Sequence, residues 1–474
     1  MKSKNIKTLK TWIIFMSLTL ISLSGCSQES NQIASTPPMG WNSWDCLGME
    51  TSEDQIKVVA DYMAKHLKQY GYEYVVLDMG WNFGEGLGTN NYHSGPPNWI
   101  PYQNPPQFMD GYGRLIPNPK RFPSSVNGKG LKPLADYVHS LGLKFGIHIM
   151  RGIPWQAVEQ NTPVKGTQFK ARDISTDSTK CFWFDGMRTV DMRKPGAMEY
   201  YDSLLELYTE WDVDFIKADD MMLPYHAAEI EAFYNAVQKT GKEIVISLSC
   251  CYEDFKYADH VSQHANMWRI TGDMWDTWTA IDHTFTACRQ WQKHIKPGHF
   301  PDCDMIPIGR LRMNGTDGSL AAFLNIDRES TIDEISRLTE DEKCTIMSLW
   351  SIFRSPLMIG GYLPELTPSD LDFLTNQEVL AINQTSTNNR ELRFSAKESV
   401  WTAESHDGKT TYLALFNTGE EASIPIQVTW QELGISGKYT VRDLWKKKDL
   451  GVFDQQLVFD VNRHGCVLLA LKKK

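Results

Sequence analysis

A chain of 474 residues exceeds what one hydrophobic core usually organises, so a large domain and a smaller one are expected. Its 42% apolar and 11% aromatic content is globular and excludes a disordered or fibrous chain. The net charge is −10, and setting aside Lys2, Lys4, Lys7 and Lys10 of the leader, which no acid balances, leaves −14, which excludes a general nucleic-acid binder.

After those lysines comes a largely apolar run over 12–23, too short to span a bilayer, and then Leu23-Ser24-Gly25-Cys26. The pattern resembles a bacterial lipobox. That resemblance implies removal of residues 1–25, a lipid on Cys26, and, with Ser27 rather than Asp next, passage to the outer membrane on its cell-surface or periplasmic side. The polar stretch 26–35 reads as a tether. The other cysteines are Cys46, Cys181, Cys250, Cys251, Cys288, Cys303, Cys344 and Cys466. They form no Cys-x-x-Cys pair and read as buried thiols with room for one or two bridges, not as a zinc site or a disulfide framework.

From residue 36 to 384 short apolar runs alternate with helical patterns, the signature of βα units around a parallel sheet, here a (β/α)8 TIM barrel. The strand candidates are 39–41, 72–78, 144–149, 214–219, 243–249, 267–271, 299–305 and 357–362. A helix is expected over 53–70. Ser52 and Gln55 have capping-box spacing there, and Ile56, Val59, Ala60, Met63 and Leu67 form one apolar face. Gly142 and Gly241 sit where left-handed caps are needed. The connections 80–132 and 151–194 are too long for ordinary βα loops, and the first, rich in Gly, Pro and aromatics such as Trp99, Tyr102, Phe108 and Tyr112, should fold over the barrel mouth. Its Gly84, Gly86 and Gly88 lack the helix and the Lys-Ser/Thr pair of a phosphate loop. Beyond 385, alternating strands at 400–403, 411–416, 422–428, 438–443, 456–460 and 466–471 read as a C-terminal antiparallel β-sandwich.

One strand ends in charge. In Asp212-Val-Asp-Phe-Ile-Lys-Ala-Asp-Asp220 an apolar run closes on a lysine and two carboxylates, and the carboxyl ends of barrel strands open onto the catalytic face. Lys217 and Asp219 alternate onto one side of the strand. No His or acidic cluster has metal-ligand spacing, so neither a metal nor another cofactor is expected.

Several longer strings carry a resemblance. Thr36-Pro-Pro-Met-Gly-Trp-Asn-Ser-Trp44, Gly71-Tyr-Glu-Tyr-Val-Val-Leu-Asp78, Gly113-Arg-Leu-Ile-Pro-Asn-Pro-Lys-Arg-Phe-Pro123 and Gly142-Leu-Lys-Phe-Gly-Ile147 resemble, in order, the opening units of the α-galactosidases of glycoside hydrolase family 27. The resemblance extends over nearly the whole chain after the leader. It implies a retaining exo-glycosidase acting on terminal α-D-galactosyl or closely related residues of glycans. Asp219 resembles the nucleophile, and Asp273, after Trp268-Arg269, the acid/base. Trp44, Asp78, His148, Lys217, Arg269 and Asp304, the last in Asp302-Cys-Asp304-Met305, resemble the sugar-binding set. Retention needs two carboxyl groups about 5 Å apart, one ionised and one carrying a proton. Lys217 is expected to hold Asp219 ionised, and Trp268, Met274 and Trp275 to supply a less polar setting for Asp273. Read without the resemblance, Asp273 could instead cap a helix over 274–281, Lys217 could be a buried ion pair with Asp219 or Asp220, and Asp220 caps its loop.

The departures bear on the sugar. The family's second strand ends in two aspartates that hold the 4- and 6-hydroxyls of galactose, whereas Met79 follows Asp78 here. His148 replaces a tyrosine, and Ser249-Cys250-Cys251 follows the fifth strand. An α-N-acetylgalactosaminidase or a β-L-arabinopyranosidase of the same family is therefore an alternative. A glycan-binding surface lipoprotein without activity is another, against which the joint presence of Asp219, Asp273, Lys217 and Arg269 argues.

Overall fold

The computed structural model describes residues 33–84, 105–181, 183–249, 255–313 and 334–474. Cys26, Trp99, Tyr102, Cys250 and Cys251 lie outside the described residues. Short apolar strands, each too narrow to bury itself, line up in one parallel sheet: β1 (Met39–Asn42), β2 (Tyr74–Leu77), β3 (Lys144–Met150), β4 (Phe215–Asp219), β5 (Val245–Leu248), β6 (Met267–Arg269), β7 (Phe300–Asp302) and β8 (Leu357–Ile359). β8 pairs with β1 through Met39↔Leu357, and Ile306, just past β7, bridges in parallel to Ile359, so the sheet closes on itself as a (β/α)8 barrel.

The intervening helices cover the barrel: α1 (Glu53–His66), α2 (Lys132–Ser140), α3 (Ala197–Glu210), α4 (Ala227–Thr240), α5 (Ala258–His264), α6 (Trp278–Trp291), α7 (Glu340–Phe353) and α8 (Gln377–Thr385). α1 starts on the Ser52–Gln55 capping box, and Ile56, Val59, Ala60, Met63 and Leu67 are all fully buried. Its α-helical part stops at His66, with a 3-10 turn over Lys68–Tyr70.

The connection after β3 carries a small antiparallel sheet of Ile153–Pro154, Ser175–Thr176 and Met187–Val190. A third excursion, unmarked in the sequence, follows β7 and pairs Arg310–Leu311 with Glu334–Ile335. The sandwich has more strands than expected. Its six-stranded sheet runs β9 (Thr387–Phe394), β10 (Glu398–Glu404), β11 (Thr410–Asn417), β16 (Cys466–Lys473), β13 (Lys438–Asp443), β14 (Lys448–Asp454), and faces the pair β12 (Ser423–Thr429) and β15 (Gln456–Asn462). Val400, Leu413, Ile426, Val428, Leu457 and Leu469 belong to a separate core between the two sheets. The sandwich is seated on α7 and α6: Thr345 Oγ1 donates to His464 O at 2.6 Å, Trp445 Nε1 to Ser348 Oγ at 2.8 Å, and the Trp278 and His464 rings stack at 3.8 Å.

Candidate active site

The strand register gathers charge at the carboxyl end of the barrel. His148 lies opposite Lys217, and Arg269 opposite Asp302, so strands β3, β4, β6 and β7 deliver polar side chains to one layer. Lys217 Nζ donates to Asp78 Oδ2 at 2.8 Å, and Asn42 Nδ2 donates to the same oxygen at 2.7 Å. Lys217 is thus paired, with Asp78 rather than with Asp219 or Asp220. Burial would push the Asp78 carboxyl up, but Lys217 and His148 hold it well below the usual carboxylate range. Burial would lower Lys217, and Asp78 raises it instead. Met79 follows, 4% exposed and packed into the main apolar core.

Asp219 closes β4, with its two oxygens held separately. Oδ2 meets His148 Nε2 at 3.1 Å, and Oδ1 accepts the Asp220 N–H at 2.6 Å. Burial works against its ionisation, yet the His148 contact, then Lys217, brings it below its ordinary value. The neighbour on β3 therefore does more than Lys217 to keep Asp219 ionised, a larger part than the sequence assigned to His148. The indole of Trp81 fixes that strand end by donating to His148 O at 2.7 Å.

Asp273 sits in the turn between β6 and α6. It does not cap that helix, because Thr277 does, its side chain accepting from Ala280 N–H. The expected apolar setting is not found: the Asp273 carboxylate is 32% exposed and accepts from Arg269 Nη2 at 3.0 Å. Alternation along β6 explains the difference, since Arg269 faces the site while Trp268 turns outward against Trp291, with ring centroids 5.9 Å apart. The other Arg269 nitrogen, Nη1, pairs with Asp304 Oδ1 at 2.7 Å, and Asp304 Oδ2 accepts the Met274 N–H at 2.6 Å. Asp304 thus engages both oxygens in holding the turn that carries Asp273, and Arg269 orients two carboxylates. Despite Arg269, burial and then the nearby Asp273 and Asp302 charges push Asp304 up to about 7. Trp44 is partly exposed and packs against the cluster that contains Tyr74, Phe215, Met305 and Met358.

Three acids of the site region went unread in the sequence. Asp45, one residue past Trp44, is fully buried, and neither carboxylate oxygen has a hydrogen-bond partner among the described residues. Burial first, then Asp304 and Asp273, raises it well above the ordinary range. Gly360, after β8, lies so close that any Cβ there would overlap Asp45 Oδ2. Asp276 braces the same turn through Arg312 at 3.0 Å and Arg337 at 3.2 Å. Glu229 on α4 meets Arg151 at 2.7 Å, behind β4. Asp276 and Glu229 pair with bases distant in sequence, and Asp45 is enclosed by residues equally distant, so none of the three leaves a local signal. Asp136, His139 and Asp212 also come together, but Asp212 lies before β4, at the far end of the strand from Asp219, and is already paired with Lys242 and with Lys132 at 3.9 Å.

Comparison with known proteins identifies the family of the chain. The family described as alpha galactosidase A matches residues 182–323, and the alpha galactosidase C-terminal beta sandwich domain matches 396–471. The solved structure of a family 27 β-L-arabinopyranosidase from Geobacillus stearothermophilus, in complex with arabinose, is 43% identical and superposes with a TM-score of 0.86, covering 93% of this chain and 98% of that one. A putative α-N-acetylgalactosaminidase from Bacillus halodurans is 38% identical with a TM-score of 0.80, over 94% and 100%. Alpha-galactosidase 3 of Arabidopsis thaliana is 27% identical over 96% of this chain and 86% of its own. With that identity carried over almost the entire length of both chains, this protein is a glycoside hydrolase, and it belongs to glycoside hydrolase family 27.

Proposed function

We propose that this enzyme is a retaining exo-glycosidase that prefers terminal β-L-arabinopyranosyl residues, and that α-D-galactosides are its poorer substrates. Asp219 attacks the anomeric carbon. Asp273 first donates a proton to the leaving oxygen and then takes one from water. Asp78, held ionised by Lys217, accepts from a ring hydroxyl, and Lys217 donates to the sugar. The observation that carries the preference is Met79. Where family 27 galactosidases place a second carboxylate, this chain has a buried thioether with no acceptor. β-L-Arabinopyranose presents the ring face of galactose without the exocyclic hydroxymethyl, so it leaves no hydroxyl unsatisfied at that corner. The 43% identity to an arabinopyranosidase supports the same reading.

An unpaired buried hydroxyl costs about 1 to 3 kcal/mol, which corresponds to about tenfold to a hundredfold in kcat/KM. The expected outcome with nitrophenyl glycosides is that β-L-arabinopyranoside exceeds α-D-galactoside and α-N-acetylgalactosaminide by that margin, and that Met79→Asp narrows the gap by improving the galactoside. A wild-type preference for the plain galactoside, with no gain in Met79→Asp, would refute the altered sugar-reading corner. The lipobox supports a second part of the proposal: the enzyme is exported and held at a bacterial outer membrane through a lipid on Cys26.

A further inference from the structure

We propose that Arg151 and Asp220 form a clamp that aims the backbone N–H following the nucleophile at Asp219 Oδ1, which makes Arg151 a positioning residue for the displacement step. This inference rests on Asp219 being the nucleophile.

Arg151 is the first residue past β3, and it is buried. Its own backbone N–H donates to Asp219 O at 3.0 Å. Its Nε donates to Asp220 O at 2.9 Å and to Asp220 Oδ2 at 3.1 Å, and its Nη2 to Asp220 Oδ2 at 2.7 Å and to Thr179 O at 2.7 Å. The remaining nitrogen, Nη1, donates to Glu229 Oε1 at 2.7 Å and to Thr189 Oγ1 at 2.9 Å. Glu229 is itself fixed by the Tyr201 hydroxyl, which donates to Oε2 at 2.6 Å. All three guanidinium nitrogens are thus engaged, and the planar fork has one orientation.

What the fork grips is a peptide under strain. Asp220 has φ of +59°, a left-handed conformation that most residues with a Cβ avoid and that Asp and Asn tolerate at some cost. Arg151 holds it from both the carbonyl and the carboxylate. In that conformation the Asp220 N–H points back at Asp219 Oδ1, 2.6 Å away, while His148 occupies Oδ2. The carboxylate plane is fixed before substrate arrives. A buried ion pair that served stability alone would need only the charges to meet. Here the contacts to the Asp220 carbonyl and, from the Arg151 backbone, to the Asp219 carbonyl act on the chain that carries the nucleophile.

The groups facing Asp219 are His148 on β3, Lys217 on its own strand, the Arg151–Asp220 pair at the turn, and beyond that pair the Cys181 thiol through Asp220 and Glu229 through Arg151. The acidic limb of the kcat/KM profile therefore reads the clamp, because withdrawing the N–H from Asp219 removes a contact that favours its ionised form. Arg151→Lys keeps a buried positive charge opposite Asp220 and Glu229 but loses the fork. The test measures kcat, KM, the acidic limb, and the rate of covalent labelling by a 2-deoxy-2-fluoro glycosyl fluoride. In folded Arg151→Lys, kcat and labelling should fall by about tenfold to a hundredfold with little change in KM, and the limb should move to higher pH. A second pair of variants keeps the test decisive if that protein does not fold. Asp220→Asn and Asp220→Ala both remove the charge, but only Asn tolerates the left-handed backbone, so Asn should retain more of the labelling rate. Wild-type kcat and an unshifted limb in folded Arg151→Lys, or equal rates for the two Asp220 variants, would overturn the clamp. Peptide mapping of the label to a residue other than Asp219 would instead overturn the nucleophile assignment, whatever the variants do.

Discussion

Asp219 and Asp273 are set in different surroundings, and the difference should be measurable. Asp219 has both oxygens occupied and is held ionised, whereas Asp273 is a third exposed and, among the described residues, accepts from Arg269. Asp219→Asn is expected to abolish turnover. Asp273→Asn should lower kcat/KM on substrates with poor leaving groups by about 10² to 10⁴, while largely sparing activated aryl glycosides, which need no proton. Equal losses on both substrate types would contradict the division of roles. Asp219 stands out in the sequence as charge at the end of an apolar strand, whereas Asp273, in a turn, is singled out only through the family resemblance. Asp45 could not be read there, since its surroundings are assembled from β4, β6, β7 and the residues after β8. Its pKa is raised on folding, so its contribution to stability is full below the unfolded carboxyl range of about 4 and is lost as pH rises toward the folded value. Asp45→Asn, which cannot ionise, should therefore gain on the wild type in urea denaturation as pH rises from about 4 to 8. A difference in stability that does not change with pH would show that Asp45 is not protonated in the fold.

At the level of elements, what could be read followed from apolar patterning, and what was missed lacked it. The barrel strands are short and fully buried, so their runs stand out. The strands overlooked in the sandwich, Thr387–Phe394 and Lys448–Asp454, are the two edges of the six-stranded sheet, largely half-buried or exposed, and their few apolar residues, such as Leu392, Leu450 and Phe453, are too sparse to make a clear alternating run. The expected apolar wall at Asp273 failed for a related reason: the pleat of β6 sends Trp268 outward once Arg269 points in. Close approaches between elements leave only a glycine as a trace. At Gly360 a side chain would collide with Asp45, so Gly360→Ala should cost about 1 to 3 kcal/mol in chemical denaturation, with loss of activity through displacement of Asp45. Unchanged stability would mean that the approach of β8 to the residues following β1 is looser than described.

At the scale of the whole molecule the barrel carries the candidate site, and the sandwich is seated on α6 and α7 through Trp278, Thr345 and Ser348, with its own apolar core. None of the helices among the described residues is long and apolar enough to cross a membrane, and the proposed lipid on Cys26 is tested separately. Wild-type protein is expected in membrane fractions, and Cys26→Ala with a conventional cleavage site is expected in the soluble fraction with unaltered kcat/KM. Wild-type protein found wholly soluble would refute the anchor. The central proposal, a retaining enzyme that acts on β-L-arabinopyranosyl residues, is tested most directly by following hydrolysis of nitrophenyl β-L-arabinopyranoside with proton NMR. Rapid release of β-L-arabinopyranose as the first anomer, followed by slow mutarotation, is the expected result, and either the α anomer appearing first or no hydrolysis of this glycoside would contradict it.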